Sequence, residues 1–458
     1  MNVRRLLWLC PLLLGGCATY QPLPLNSNAH ALNSAADIKV APSILRVFPH
    51  QRYRFNPSHG LDMTDVAILA VANNPQLKLA RDERGIAHAQ AFAAGLLLDP
   101  VLDLAHGVPT AGPSDISSFD LGLSYDVEAV LVHPLVKRAA NESAREVDLN
   151  VLWMAWQVAG KARELFVRDV YQARMLAVLR REAGILTHRH ARLLRLGRQG
   201  EVSRDTIAAD LATVQASATR LHAAERQQLK TRQALDALLG LSPRADLHLV
   251  GPTTGPQLSP TAIAHALATL PRRRPDLLAL QAGYRSADAR YRQAILEQFP
   301  AIHVGFSKGR DTDGIYSRTF QISLTLPIFN RNRGAIAVNR ATRKDLHDAY
   351  AVRLAQARAE VEQILQDQQL LGRQRQQVAR AAAAAAATLA RLEAVARPGD
   401  VTGEQLARLQ TIACNQRLSV LAIDAATQQQ QTALWTLLGP VAAAGDTAPS
   451  AEEKTRAG

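Results

Sequence analysis

The chain has 458 residues, of which 47% are hydrophobic, 20% are charged and 5% are aromatic, and its formal net charge is +13. This length and apolar content allow a sizeable core and exclude a wholly disordered chain, while a second half rich in Ala, Leu, Arg and Gln favours long helices. Nucleic-acid binding is disfavoured, because Arg alternates with Glu, Asp and Gln instead of forming one basic block with aromatic residues.

The N-terminus has the pattern of a bacterial secretion signal. Two arginines precede an apolar run that is about half as long as a bilayer-spanning helix, and small residues precede Cys17. The stretch LGGC at residues 14–17 resembles a lipobox, which implies that residues 1–16 are removed and that Cys17 becomes the lipidated N-terminus. By the same resemblance, Ala18 is typical of lipoproteins sorted to the outer membrane. The alternative is an ordinary signal peptide with an incidental cysteine.

The sequence contains two copies of one unit. Residues 73–104 align with residues 273–304, so that Pro75 falls on Pro275, 200 positions later. Three more segments align in the same order at offsets of 199 to 201. We therefore predict a signal peptide at 1–16, a lipidated extended segment at 17–60, repeat one at 61–241, a linker at 242–260, repeat two at 261–440 and a disordered tail at 441–458.

Each repeat predicts a helix, two strands, a long helix and a returning helix, in that order. The first four have predicted bounds of 61–97, 101–107, 119–127 and 137–196 in repeat one, and of 275–298, 302–308, 318–326 and 336–396 in repeat two. A helix of about 60 residues spans roughly 90 Å, so it must lie against other helices. Apolar residues recur in both long helices near the coiled-coil period. The alanines at 381–387 continue the second long helix, in preference to a low-complexity linker.

The predicted strands alternate apolar and polar side chains, which puts the two kinds on opposite faces. Nine residues tilted by about 40° cover roughly 23 Å, close to the apolar band of an outer-membrane barrel. We expect the apolar face to meet lipid and the polar face to line a pore shared by several chains, because a closed membrane barrel needs at least about eight strands. The alternative is a small sheet packed on helices in a soluble domain.

These features together resemble the outer-membrane efflux proteins of the TolC family, in its lipoprotein branch. The resemblance extends from Cys17 to about residue 440 and includes the LLG near the end of each repeat. It implies a mainly helical fold with a small membrane β part. Three identical chains would complete a twelve-stranded barrel with four strands each, and their helical hairpins would form a periplasmic tunnel.

The same resemblance implies a function. The protein would be a passive channel in the outer membrane of a Gram-negative bacterium, exporting small molecules without catalysis and without a cofactor. Its implied partners are a periplasmic adaptor protein, outer-membrane lipid and an inner-membrane transporter of the resistance-nodulation-division type.

The turns farthest from the predicted strands are candidate functional ends. Each places Gly at the chain reversal, and Ser203 or Thr402 can cap the returning helix. Both segments are expected to be hairpin turns, whether or not they also have a docking role. The family resemblance adds that they contact the adaptor, through Gly200, Glu201, Val202, Ser203, Gly399, Asp400, Val401 and Thr402.

The periplasmic aperture is expected just beyond these turns. Family members often carry an acid six residues after the turn glycine, but this sequence has Thr206 and Gln405 there, which argues against an acidic ring. One replacement is a latch in which Asp205 or Asp210 pairs with Arg408, and the other interpretation is that these charges are solvated. The candidate aperture residues are Asp205, Asp210, Gln405 and Arg408.

Other candidates for chemistry are weak. His188 and His190 provide too few ligands for a firm metal site, and Cys414 is expected to be a small packed side chain, not a nucleophile. The sequence has no pattern of a hydrolase, metalloprotease, redox enzyme or nucleotide-driven enzyme. The rival classes are a lipid-anchored adaptor with one helical hairpin inside a small β domain, a structural coiled-coil protein without a pore, and a lipid-anchored enzyme.

Overall fold

The computed structural model describes residues 19–27, 31–41, 60–111, 115–255, 257–395 and 403–439. Within those residues, long α-helices dominate and one four-stranded antiparallel sheet is present. The predicted mainly helical class with a small β part is confirmed. The signal peptide and Cys17 lie outside the described residues.

Repeat one begins with two helices where the sequence predicted one. Its elements are α1 (Met63–Asn73), α2 (Pro75–Ala94), β1 (Val101–Gly107), β2 (Ser118–Asp126), α3 (Val127–Arg198) and α4 (Arg204–Leu239). The predicted continuous helix at 61–97 is wrong at Asn74, whose ψ of 126° is not helical. A residue before a proline is pushed out of the helical region, and here that proline is Pro75. The side chain of Asn74 then caps α2 by accepting a hydrogen bond from Leu77 N at 2.9 Å.

The long helix α3 starts well before its predicted first residue, 137. Asp126 ends β2, and its carboxylate accepts a hydrogen bond from Ala129 N at 3.1 Å, so the strand passes directly into a capped helix. Pro134, which the predicted bounds left outside, is accommodated within the helix. The sheet and α3 are therefore joined without a flexible linker.

Repeat two has the same elements in the same order. They are α5 (Pro260–Arg273), α6 (Pro275–Leu296), β3 (Ala301–Arg310), β4 (Tyr316–Thr325), α7 (Arg333–Val395) and α8 (Gly403–Leu438). Helix α5 was not predicted from the sequence, and it begins where the linker was expected to end. Arg274 breaks the chain between α5 and α6 with a ψ of 120°, as Asn74 does in repeat one. The alanines at 381–387 lie within α7, as predicted.

The two repeats share one sheet. Its strand order is β1-β2-β3-β4, and each strand is antiparallel to the next. The strands β2 and β3 belong to different repeats, and their pairing places Phe119 opposite Arg310 and Asp126 opposite His303. All four strands fall where the sequence predicted them, and β1 has the predicted bounds.

The helices form a single layer below the sheet. The contacts give the order α2-α3-α6-α7 near the strands and α4-α3-α8-α7 farther away. Two apolar clusters hold this layer together, one in each repeat. The first includes Val66, Phe166 and Leu235, and the second includes Leu270, Val361 and Leu434. In the described part of the chain, no helix is both long enough and apolar enough to cross a bilayer.

Candidate functional site

One face of the sheet is apolar from edge to edge. The register pairs Leu102 with Leu123, Leu123 with Phe306, and Phe306 with Phe320, so these four residues form a row across all four strands. Their fractional exposures lie between 51% and 67%. A continuous exposed apolar surface of this kind is typical of a contact with lipid or protein. The same face carries Leu104, Leu121, Tyr125, Ile302, Val304, Ile322 and Leu324.

The opposite face is polar. The row next to the leucines and phenylalanines consists of Asp103, Gly122, Ser307 and Thr319. Another row brings His303 opposite Ser323 and places its Nδ1 3.9 Å from Asp126 Oδ1. The sheet therefore has one face suited to hydrocarbon and one suited to water, as the alternation in the sequence predicted.

Both edges of the sheet are open within the described residues. The outer edges of β1 and β4 have no partner strand there, and every residue of β4 is exposed. In hydrocarbon each unpaired backbone N–H or C=O group costs several kcal/mol, so an open edge cannot remain in a bilayer. A strand from another chain can satisfy these groups.

The turn between α3 and α4 contains the predicted tip residues of repeat one. Gly200 has a φ of +79°, which glycine adopts without strain. Glu201 N donates to Leu196 O at 3.0 Å, and Ser203 Oγ accepts a hydrogen bond from Thr206 N at 3.2 Å. Ser203 therefore caps α4, and the turn is rigidly defined by its backbone. The tip residues of repeat two, Gly399, Asp400, Val401 and Thr402, lie outside the described residues.

Among the candidate aperture residues, Asp210 has defined partners. Asp210 is buried between α3 and α4, where its carboxylate pairs with Arg189 and lies 2.8 Å from His190 Nδ1. Asp210 therefore has partners within its own hairpin, and the latch of Asp205 or Asp210 with Arg408 stays a prediction. The other aperture candidates, all exposed, are Asp205, Gln405 and Arg408.

Cys414 lies in a groove of about 660 Å³ between α3, α7 and α8. Burial and a hydrogen bond with Glu182 raise the pKa of the Cys414 thiol to about 12, so the thiol is protonated at neutral pH. Glu182 also accepts a hydrogen bond from Arg220 at 2.9 Å. This thiol lacks the low pKa that a nucleophile needs.

The two histidines near the distal turn have different surroundings. His190 Nδ1 forms a hydrogen bond with the Asp210 carboxylate, whereas the His188 side chain is exposed. Across the described ranges, no three His, Cys, Asp or Glu side chains are grouped as metal ligands.

A buried charge network, which was not predicted from the sequence, lies at the break between α5 and α6. Arg274 donates to Asp276 at 2.8 Å, and Arg353 of α7 bridges Asp276 and Glu360 at 2.8 Å each. The Arg274 guanidinium lies 4.6 Å from the ring centroid of Trp153 on α3. The sequence carried a signal for this network. Arg274-Pro275-Asp276 aligns with Asn74-Pro75-Gln76, so repeat two has charged residues where repeat one has neutral ones.

A shared four-stranded sheet above a layer of long helices, built from two repeats, is the protomer fold of TolC-type outer-membrane channels. Two solved structures illustrate this likeness. The Campylobacter jejuni CmeC outer membrane channel matches with a TM-score of 0.70 and 15% identity, covering 92% of this chain and 95% of CmeC. The Vibrio cholerae outer membrane protein VceC matches with a TM-score of 0.68 and 15% identity, covering 82% of this chain and 96% of VceC.

The chain is also similar in sequence to the pyoverdine export outer membrane protein OpmQ of Pseudomonas putida, with 27% identity over 326 residues. The alignment covers 69% of this chain and 63% of OpmQ, which is less than two thirds of that protein. No family model matches the chain. The resemblance to TolC-family efflux proteins that the sequence analysis stated is confirmed by the OpmQ similarity and by the fold.

Proposed function

We propose that this chain is the outer-membrane channel of an efflux system, through which small molecules leave the cell without a chemical reaction in the channel. The observation that carries the proposal is a sheet with one apolar face, one polar face and two open edges, joined directly to a layer of long helices. A water-filled membrane barrel requires these features of its strands.

The proposed assembly is a trimer. Three copies supply twelve strands, and the barrel closes when β4 of one copy pairs with β1 of the next. The apolar row containing Leu123 and Phe306 then faces hydrocarbon, and the row containing Gly122 and Ser307 faces the pore. The outer helices α4 and α7 each have a described neighbour on one side only, so the same contact between copies extends along the tunnel.

The remaining roles follow from the position of each end. We infer that Cys17 carries the lipid that anchors the chain in the outer membrane, and that the turn at Gly200, with its counterpart at Gly399, docks onto a periplasmic adaptor. The adaptor would connect the channel to an inner-membrane transporter of the resistance-nodulation-division type, which supplies the energy. The name of OpmQ, a pyoverdine export outer membrane protein, supports export as the role of this channel.

The proposal is tested with cysteines at two adjacent positions, one on each face of the sheet. In a full-length Cys414→Ala background, Phe306→Cys and Ser307→Cys are extracted from the outer-membrane fraction and reconstituted in planar bilayers. A charged, water-soluble thiol reagent should label Ser307→Cys and reduce its conductance. It should leave Phe306→Cys unlabelled, because lipid shields that face.

The mass of the unboiled protein completes this test. The proposal expects a complex of three chains in the outer membrane. A monomer without conductance, labelled equally at both positions, would support an adaptor, a pore-free coiled-coil protein or an anchored enzyme instead, and would overturn the channel.

A further inference from the structure

The apolar face of the sheet ends in a pair of cations on β3 and β4. Phe306 lies opposite Phe320, and two residues farther along the strands Lys308 lies opposite Arg318 on the same face. In β1 and β2 the corresponding positions are still leucines. On β3 and β4, this face therefore changes from apolar to cationic between one pair of residues and the next pair on the same face.

The structure leaves these two cations available to a ligand. Lys308 and Arg318 are exposed, and neither has an ion-pair or hydrogen-bond partner among the described residues. Arg310, in the next row, is held differently. Its guanidinium donates to Ser117 O at 2.8 Å and lies 6.0 Å from the ring centroid of Tyr316.

Among the residues that the structure describes, no acidic side chain forms an ion pair with Lys308 or Arg318. Asp103 and Asp120 lie on the opposite, polar face of the sheet. Asp311, in the β3–β4 connection, accepts hydrogen bonds from the backbone N–H groups of Asp313 and Ile315 at 3.0 Å and 2.8 Å, and so closes its own turn. The apolar face therefore carries an uncompensated positive charge at this end.

The pair lies at the end of the sheet opposite the helices. The β1–β2 and β3–β4 connections are at this end, whereas α2, α3, α6 and α7 adjoin the other ends of the strands. If the helices occupy the periplasm, as the proposed function requires, the two cations lie at the level of the outer leaflet. The rings of Phe119 and Tyr316, whose centroids are 6.2 Å apart, lie one row farther toward this end of the sheet, and aromatic side chains are enriched at membrane interfaces.

We propose that Lys308 and Arg318 together bind a phosphate of a phosphorylated glycolipid headgroup in the outer leaflet. This inference rests on the proposed function. Cross-strand partners have Cα atoms about 4.5 to 5.5 Å apart, so the ammonium and guanidinium groups can reach one phosphate. A lipid fits better than free phosphate, because its acyl chains can lie on Phe306 and Phe320 directly below the cations.

The experiment compares two forms of one lipid. Native mass spectrometry of the full-length trimer in detergent measures binding of bis-phosphorylated lipid A and of the same lipid after removal of its phosphates. The test variant is Lys308→Gln/Arg318→Gln. The matched control is Lys39→Gln/Arg244→Gln, which removes an exposed lysine and arginine that lie outside the sheet and the helices and likewise have no described side-chain partner. Inorganic phosphate is added as a competitor.

Wild type and control should bind the phosphorylated form about tenfold tighter than the dephosphorylated form, and the test variant should bind both forms equally. Inorganic phosphate should not displace the lipid. Equal binding of the two forms by wild type, an unchanged preference in the test variant, or displacement by inorganic phosphate overturns the inference. Conductance is measured on the same preparations. A conducting trimer without headgroup preference overturns this inference alone, whereas absence of trimer or conductance overturns the proposed function.

Discussion

The two repeats break their first helix at aligned positions but stabilise the break differently. In repeat one, the neutral Asn74 caps α2 and donates its side-chain amide to Leu238 O at 2.9 Å. In repeat two, Arg274 is 1% exposed, pairs with Asp276 at 2.8 Å and lies over the ring of Trp153. Both breaks have a non-helical backbone before a proline. The side chain that stabilises the break is neutral in repeat one and charged in repeat two.

This difference teaches how a duplicated unit can acquire long-range connections. The amide of Asn74 reaches only α4 of its own repeat. The network around Arg274 includes Arg353 of α7 and touches Trp153 of α3, which belongs to the other repeat. Breaking a buried ion pair leaves an uncompensated charge in a medium of low dielectric constant, so the charged break is the more sensitive one.

The largest expected effect therefore comes from Arg274→Ala. Removing the guanidinium takes away the bond to Asp276 and the contact with Trp153 but leaves Asp276 paired with Arg353, so we expect the free energy of unfolding to fall by about 2–3 kcal/mol. The matched variant Asn74→Ala removes a helix cap and should cost about 1–2 kcal/mol. Urea unfolding of the detergent-solubilised protein, followed by circular dichroism, measures both. Equal losses in the free energy of unfolding would show that the charged network stabilises the break no more than the neutral cap does.

The long helices provide a second comparison between the repeats. A Cβ atom at Gly160 of α3 would overlap the side chain of Thr436 on α8, whereas at Gly372 of α7 it would meet nothing within 4 Å. We expect Gly160→Ala to cost about 1–3 kcal/mol through overpacking and Gly372→Ala to add about 0.5–1 kcal/mol through helix propensity.

A second-site variant sharpens this prediction. Replacing Thr436 by Ala in the Gly160→Ala background should recover most of the lost stability, because the overlapping atoms are removed. The readout is again the midpoint of urea unfolding. No recovery would mean that the close approach of α3 and α8 does not cause the loss.

The smallest expected effect concerns Asp236, which aligns with the apolar Trp435 in repeat two. Burial raises the pKa of Asp236 to about 6, and Arg232 partly opposes the shift. Between pH 6 and 4 the folded chain therefore binds a proton that the unfolded carboxyl, with a pKa of about 3.9, does not bind. Protonation of the Asp236 carboxyl therefore adds to the free energy of unfolding below about pH 6. This contribution is lost as the pH rises through 6 and the buried carboxyl becomes charged.

The variant Asp236→Asn isolates that contribution. It should be more stable than wild type at pH 7, and the difference between the two should shrink as the pH is lowered toward 4. Unfolding midpoints at several pH values measure this difference. A constant difference across the range would contradict the raised pKa.

Local patterns predicted a large part of the fold. Alternation gave the four strands and their two faces, and the Gly-Glu-Val-Ser turn gave the cap at Ser203. These features depend on residues within a few positions of one another. The break at Asn74 was also visible in Pro75, because a proline disfavours a helical residue before it and suits the first turn of a new helix. The prediction of a single continuous helix did not use this signal and was wrong.

The missed side-chain contacts are long-range in sequence. Arg274 and Glu360 are brought together only by the packing of the α5–α6 break against α7. The pairing of Asp210 with His190 had an available signal, because both residues lie ten positions from Gly200 on opposite arms of a hairpin. The pore shared by several chains is a proposal, and it rests on the open edges that four strands per chain imply.

The central claim is that the face containing Leu123 meets hydrocarbon while the adjacent Ser124 faces water. The most direct measurement is the amount of unboiled trimer in the outer membrane for Leu123→Arg and for Ser124→Arg. The lipid-facing arginine should destabilise the barrel by about 2–4 kcal/mol per chain and greatly reduce the trimer. The pore-facing arginine should leave assembly unchanged and lower cation conductance. Equal assembly of both variants, or greater damage from Ser124→Arg, would contradict the account.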